Sequence, residues 1–221
     1  MDCTKELSLE TASPPILYYD FQTLINGDTE VVDLISGANL TGGGLTVGPG
    51  FIGNGWNSPN QANRTGDPIF DLSDTDFTVR FWVKSLLSAP YNAWLLSFNF
   101  SSGSGEWFFI KNSVNPDDIG FVVETAFPDF YTALTPGFTT GTWHYILATY
   151  EPGVRISIRL DGGLPTYTAI PVAIGNPLDS LRFRDSSGLV EFDEIAIWDR
   201  LLSEDEITAD YNGGAGRTWP W

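Results

Sequence analysis

A chain of 221 residues, 42% of them hydrophobic, can bury one substantial core; its 23 glycines, 14 prolines and 14% aromatic residues suit strands and tight turns better than a helical bundle. With 28 acidic against 11 basic residues the formal net charge is −17, which repels a polyphosphate backbone and argues against a nucleic-acid partner; solubility, calcium or a cationic surface remain as reasons for the acidity. Cys3 is the single cysteine, so no intrachain disulfide forms, and no run reaches the roughly 18–20 apolar residues of a membrane span, so membrane insertion is not expected.

The opening, MDCTKELSLETASPP, has an acid at position 2 and no apolar stretch, and so does not read as a signal peptide. Residues 1–15 are polar and end in Pro14-Pro15, which cannot join a sheet interior, so an extended N-terminal arm is expected there. From ILYYDF onward short apolar runs recur between turn signals, which predicts an all-β fold: a two-sheet antiparallel β-sandwich of jelly-roll type spanning residues 16–214. The glycine-dense TGGGLTVGPGFIGNG has no Lys and no helical pattern after it, so it predicts turns and close strand approach, not a phosphate cradle.

AWLLSFNF and EWFFIKN are apolar on both faces, as central strands covered on both sides are; outward aromatics for binding are the alternative. VRISIRLDG alternates cleanly, with Val154, Ile156, Ile158 and Leu160 on one face and Arg155, Ser157 and Arg159 on a wet one. Asp161-Gly162-Gly163 then supplies the positive backbone dihedrals of a hairpin turn. His144, the sole histidine, has no second His or Cys for a zinc site and no visible Ser or Cys nucleophile, so a structural role is expected.

Near the C-terminus, EFDEIAIWDRLLSEDEITADYNGG concentrates carboxylates. Ser203 predicts a helix cap, Glu206 completes a capping box, and Leu202 with Ile207 has the spacing of a hydrophobic staple. Glu204, Asp205 and Glu206 then oppose the positive end of the helix dipole, Asp210 is expected on the solvent side, and Asn212-Gly213-Gly214 ends the helix after Tyr211. On the preceding strand Glu191 and Asp193 share a face, about 7 Å apart, and Glu194 is expected to point the other way.

Glu191-Phe192-Asp193-Glu194 is similar to the Glu-x-Asp-x-Glu strand of laminarinase-type sandwich hydrolases. The third acid should fall at 195 or 196, which are Ile and Ala, so the proton donor is missing and no catalytic residue is expected; a glycoside hydrolase is the further alternative, resting on Glu191 and Asp193 alone. FDEIAIWDRLLSEDEITADYN, Phe192 to Asn212, resembles the closing segment of laminin G-type domains of the concanavalin A-like lectin/glucanase superfamily, and YYDFQ, VVDLISGANL, FTVRFWVKS, TWHYILATYE and ISIRLDGGL agree in order. That resemblance implies that Trp82 and Trp143 fill the gap between the sheets and that Trp198 pins the last strand to the helix.

The run Tyr211 to Pro220 is similar to the end of such domains in proteins of tailed bacteriophages. The resemblance implies a non-catalytic virion protein, assembled in a host cytoplasm, that decorates a capsid or belongs to a tail fibre. Its partners would be other virion proteins or further copies of itself, as a homo-oligomer, or a host surface glycan. The arm 1–15 and the tail 215–221 would dock it, with Trp219 and Trp221 as aromatic anchors. The alternative is a lectin-like module of a bacterial, extracellular surface protein or hydrolase, with Asn92, Trp107, Glu124 and Tyr131 as candidate sugar ligands. No metal or other cofactor is expected: calcium needs clustered oxygens, and no clear calcium-binding motif supplies them.

Overall fold

The computed structural model describes residues 13–86, 93–98, 106–111, 115, 117–126, 129–174, 180–183 and 189–220. Its first strands are β1 (Leu17–Tyr19), β2 (Leu24–Ile25), β3 (Glu30–Val31), β4 (Leu40–Thr41), β5 (Val47–Pro49), β6 (Asn54–Trp56) and β7 (Ala62–Thr65). Longer ones follow: β8 (Phe77–Ser85), β9 (Ala93–Phe98), β10 (Glu106–Lys111), β11 (Asp118–Ala126), β12 (Asp129–Pro136) and β13 (His144–Glu151). The series ends with β14 (Arg155–Leu160), β15 (Thr166–Ala169), β16 (Ser180–Phe183) and β17 (Val190–Trp198), before the helix α1 (Glu204–Tyr211).

These strands pair antiparallel in two sheets. Sheet A runs β15-β14-β13-β8-β17-β6-β5, with β1 also on β17; sheet B runs β12-β11-β10-β9-β16-β7-β4-β3-β2. The core between them follows from the two-residue period of a strand. On β8, Phe77, Val79, Phe81 and Val83 point inward; on β13, Ile146, Ala148 and Tyr150 do the same; Trp56 and Trp107 supply the largest rings. At one side the sheets meet, where Thr168 Oγ1 of edge strand β15 donates to the carbonyl of Thr132 on edge strand β12. The glycine-dense segment forms turns and the β5–β6 hairpin, as expected: a Cβ on Gly55 would lie 2.8 Å from the Phe192 carbonyl oxygen.

The other face of sheet A carries a second apolar layer of Trp82, Tyr145 and Leu147, covered by Ile207 of α1 and by Phe51, whose ring stacks 3.5 Å from Trp82. Trp82 therefore lies outside the inter-sheet gap, a correction with a simple cause: it alternates with Phe81 and Val83, which took the inward positions. Trp143 packs at the border of that same outer layer, beneath the Lys84 ammonium. Trp198 sits outward too, against Tyr18, Leu202 and Trp219.

The helix forms as its sequence predicts. Ser203 accepts from the Glu206 amide and Glu206 accepts from the Ser203 amide, and Asn212 closes the end in the left-handed region at φ 50°. Leu202 and Ile207 both pack into the outer layer. Ser203→Ala is expected to cost about 1 kcal/mol, read as a lower urea midpoint with an unchanged slope.

Candidate binding site

The acidic strand β17 begins in regular register, Glu191 opposite Lys84 and Asp193 opposite Trp82, and then slips, so that Ala196 faces Arg80. Glu194 takes up the slack at φ 53°, a β-bulge. The extra residue turns Glu194 to the outer face of sheet A together with Asp193, while Phe192 and Ile195 stay in the core. The sequence expectation of opposite faces is thus corrected by a feature that strict alternation cannot contain.

Each of these acids is engaged by the scaffold. Glu191 pairs with Lys84. Asp193 accepts the backbone amides of Ile52 at 2.8 Å and Glu194 at 2.9 Å, and its burial pushes the carboxyl up to about 8. Tyr18 Oη donates to Glu194, whose pKa burial raises to about 7 although Tyr18 and Arg80 pull it down. Arg80, 1% exposed, lies 3.1 Å from Asp210 Oδ2 and 4.0 Å from Glu194 Oε2. Burial alone would lower the Arg80 pKa, but Asp210, Tyr145, Tyr18 and Glu194 outweigh it and hold the guanidinium charged. Asp210 also accepts from Tyr145 Oη at 2.6 Å and is 5% exposed. It is not on the solvent side, because it lies three residues after Ile207, on the same helix face.

The candidate sugar ligands fall elsewhere. Trp107 points between the sheets at 0% exposure, with Phe77 stacked 5.1 Å away and Phe121 edge-on at 5.7 Å, so its ring has no face to offer a sugar. The cause is parity: in EWFFIKN, residues 107 and 109 are the inward pair. Glu124 is 1% exposed, directly opposite Glu106; burial, then Glu124 itself, pushes the Glu106 carboxyl up to about 7. Tyr131 is partly buried against the inter-sheet core. Asn92 and Trp221 lie outside the described residues. Trp219 is held in place, its amide donating to Tyr18 Oη at 3.1 Å and its side chain packed against the Tyr18–Trp198 cluster.

His144 joins the start of β13 to the following hairpin. The Thr139 amide can only donate to its Nε2, at 2.9 Å, so Nδ1 carries the proton and donates to Asp161 at 2.7 Å. That arrangement is structural, as its sequence context predicts.

The outer face of sheet A carries a cleft of about 90 Å³ beyond the N-terminal turn of α1. Register builds it: Thr149, Ser157 and Tyr167 form one cross-strand row, and Glu151 with Arg155 the next. Arg155 pairs with Glu151 and lies 4.7 Å over the Tyr167 ring, which is 51% exposed. Arg159 holds Glu204 with both terminal nitrogens, and Thr149 and Ser157 share a hydrogen bond of 2.6 Å. The sequence signal was the face Arg155, Ser157, Arg159, expected to be wet; Arg155 is exposed, but Ser157 and Arg159 are buried beneath the cleft, and Tyr167 carried no signal, because its neighbours on that face come from another strand. A wider depression of about 360 Å³ at the opposite edge, between β2 and β5, is lined by Asp28 as its one ionisable group and by no aromatic ring.

Residues 57–208, more than half of the chain, match a family model described as Concanavalin A-like lectin/glucanases superfamily. No curated protein matches the chain in sequence. Among solved structures, the binding domain of Paraclostridial Mosquitocidal Protein 1 superposes with a TM-score of 0.72 at 15% identity, over 91% of this chain and 52% of that one. The binding domain of Botulinum neurotoxin DC in complex with rat synaptotagmin II gives 0.71 at 14% identity, over 90% and 51%. The same neurotoxin's binding domain in complex with SialylT gives 0.68 at 13% identity, over 91% and 52%. The chain spans about half the length of these structures, and at such identities the likeness is one of fold.

Proposed function

The chain belongs to the concanavalin A-like lectin/glucanase superfamily, and from that premise we propose that it is a non-catalytic attachment module, recognising a glycan or protein surface. One observation carries this reading: the acids of the Glu191–Asp210 segment that would serve hydrolysis are taken up by Lys84, backbone amides, Tyr18, Arg80 and Tyr145. A retaining hydrolase needs two carboxyl groups about 5–5.5 Å apart across an open cleft; here the strand's carboxylates build the sandwich, and the open surface is polar and aromatic. The binding domains of similar fold, one in complex with rat synaptotagmin II and one with SialylT, support a binding role.

The setting we propose is a virion, as a capsid decoration or tail-fibre component; its support is the phage-like run Tyr211–Pro220. A lectin-like module of a bacterial surface protein is the second reading, favoured by the toxin binding domains of the same fold. Immobilised glycans and host cells presented to the purified protein are expected to retain it saturably and without release of reducing ends. Sugar release abolished by Glu191→Gln would overturn the non-catalytic reading. Mass spectrometry of purified particles and light scattering test the setting: the chain in virions at stoichiometric amounts, and as a homo-oligomer in solution, is the outcome expected of the virion reading.

A further inference from the structure

We propose that the cleft between β14, β15 and the start of α1 binds one neutral hexopyranose, a site assignment that rests on the attachment reading above and narrows it to a ligand class. Three ligand chemistries compete for such a cleft, and its charges decide among them. Arg155 and Arg159 face it, but each already holds a carboxylate, Glu151 and Glu204. A ligand anion would sit beside both carboxylates, on a chain of net charge −17 whose long-range field repels it. A cation would be placed against the two guanidinium groups. A neutral polyol meets neither penalty.

The same arrangement is what a sugar reads. Along the cleft, carboxylate oxygens accept while guanidinium N–H groups donate, so adjacent hydroxyls of a pyranose, each able to do both, find complementary partners. On the floor, the Thr149 and Ser157 hydroxyls bond to each other at 2.6 Å. One of them donates in that contact, which leaves the second hydroxyl's proton to donate to a ligand oxygen. Ser157 is 3% and Arg159 8% exposed, so the floor is fixed before any ligand arrives. At the rim the Tyr167 ring, half exposed and oriented by Arg155, offers an apolar surface to the C–H face of the sugar. Glu204 is the exposed wall: its side chain is 71% exposed, so exchanging part of its contact with Arg159 for a ligand hydroxyl would not break the core.

Saturation-transfer NMR with methyl α-D-glucopyranoside, methyl α-D-mannopyranoside, methyl β-D-galactopyranoside and glucuronic acid tests this directly. At least one neutral glycoside is expected to bind, weakly and with little dependence on salt. Tyr167→Ala should weaken it by about tenfold, the loss of one aromatic stack, while Tyr167→Phe keeps it. Gln22→Ala in the opposite depression should leave it unchanged, and thermal unfolding confirms that each variant folds. Binding of glucuronic acid alone, abolished by salt, would overturn the ligand class. Glycoside binding indifferent to Tyr167→Ala would overturn the site. Retention on glycans or cells with no response to these four sugars would sink this assignment and leave the attachment reading standing; loss of retention as well would remove both.

Discussion

Replacing Arg80 by methionine is expected to destabilise the domain by about 3–5 kcal/mol, the cost of stripping a buried charge network of the guanidinium at its centre. The side chain is 1% exposed on the outer face of β8, beneath α1. It touches Asp210, the backbone carbonyls of Glu194 and Arg217, and the Tyr18 ring 5.5 Å away. Without it, Asp210 keeps only Tyr145 from this cluster, and a carboxylate is left in a dry site. Methionine matches the volume, so the loss is electrostatic and not a cavity. Arg80→Met/Asp210→Asn removes the stranded charge and should regain a substantial part of the loss, a coupling readable in a double-mutant cycle by urea denaturation. Lys84→Met, which breaks a pair roughly one-fifth exposed at each partner, should cost at most about 1 kcal/mol. An Arg80→Met change no larger than that of Lys84 would mean that Asp210 reaches solvent.

That network shows where the sequence is informative and where it is not. Signals confined to a few neighbouring residues are legible: the Ser203–Glu206 capping box, the Asp161-Gly162 turn, and the alternation of VRISIRL that sends Ile156 and Ile158 into the core and Arg155, Ser157 and Arg159 to the other face, where Ser157 and Arg159 are nonetheless buried and not wet. The two-sheet architecture is legible for the same reason, as a sum of such runs. Facing is not legible where a strand is apolar on both sides. In EWFFIKN either parity satisfies composition, and only packing against the opposite sheet sends Trp107 inward; in FTVRFWVKS the parity was legible, since Trp82 shares its face with Thr78, Arg80 and Lys84. The bulge at Glu194 is hidden as well, because it answers to the register of β8 and not to any residue preference of β17. Asp210 was decipherable in principle: its place three residues after Ile207 puts it on the buried face, and Arg80 on a strand of large apolar residues was the partner to look for.

The bulge also sets how stability should vary with pH. It buries Asp193 and Glu194 side by side at 0% exposure, and desolvation raises their pKa values to about 8 and about 7. Hydrogen bonds from Ile52, Glu194 and Phe51 amides to Asp193, and Tyr18 and Arg80 beside Glu194, oppose that rise without cancelling it; Asp20 and Asp210 add to it at Glu194. In the unfolded chain both acids ionise near pH 4. Between about pH 4 and 8 the folded state therefore binds more protons than the unfolded one, and stability falls as pH rises through that window. Glu206 has the opposite sign: Arg200 holds it near 2, and its contribution, discounted for solvent screening, is present above pH 4 and is lost only below it. The melting temperature should thus peak near pH 4–5 and drop by roughly 5 °C or more by pH 8.5. Self-repulsion of a chain at −17 acts in the same direction, but salt screens surface charges and not the buried pair, so the decline should persist in 0.5 M NaCl. Glu106, which burial and Glu124 push up to about 7, adds to the decline with the same sign, so Asp193→Asn/Glu194→Gln, which imitates the protonated acids, should flatten much of the remaining slope and leave the share of Glu106. A wild-type melting temperature that rises from pH 5 to 8.5, or a double variant with an undiminished slope, would show that these two carboxyls are solvated and that the bulge does not bury them.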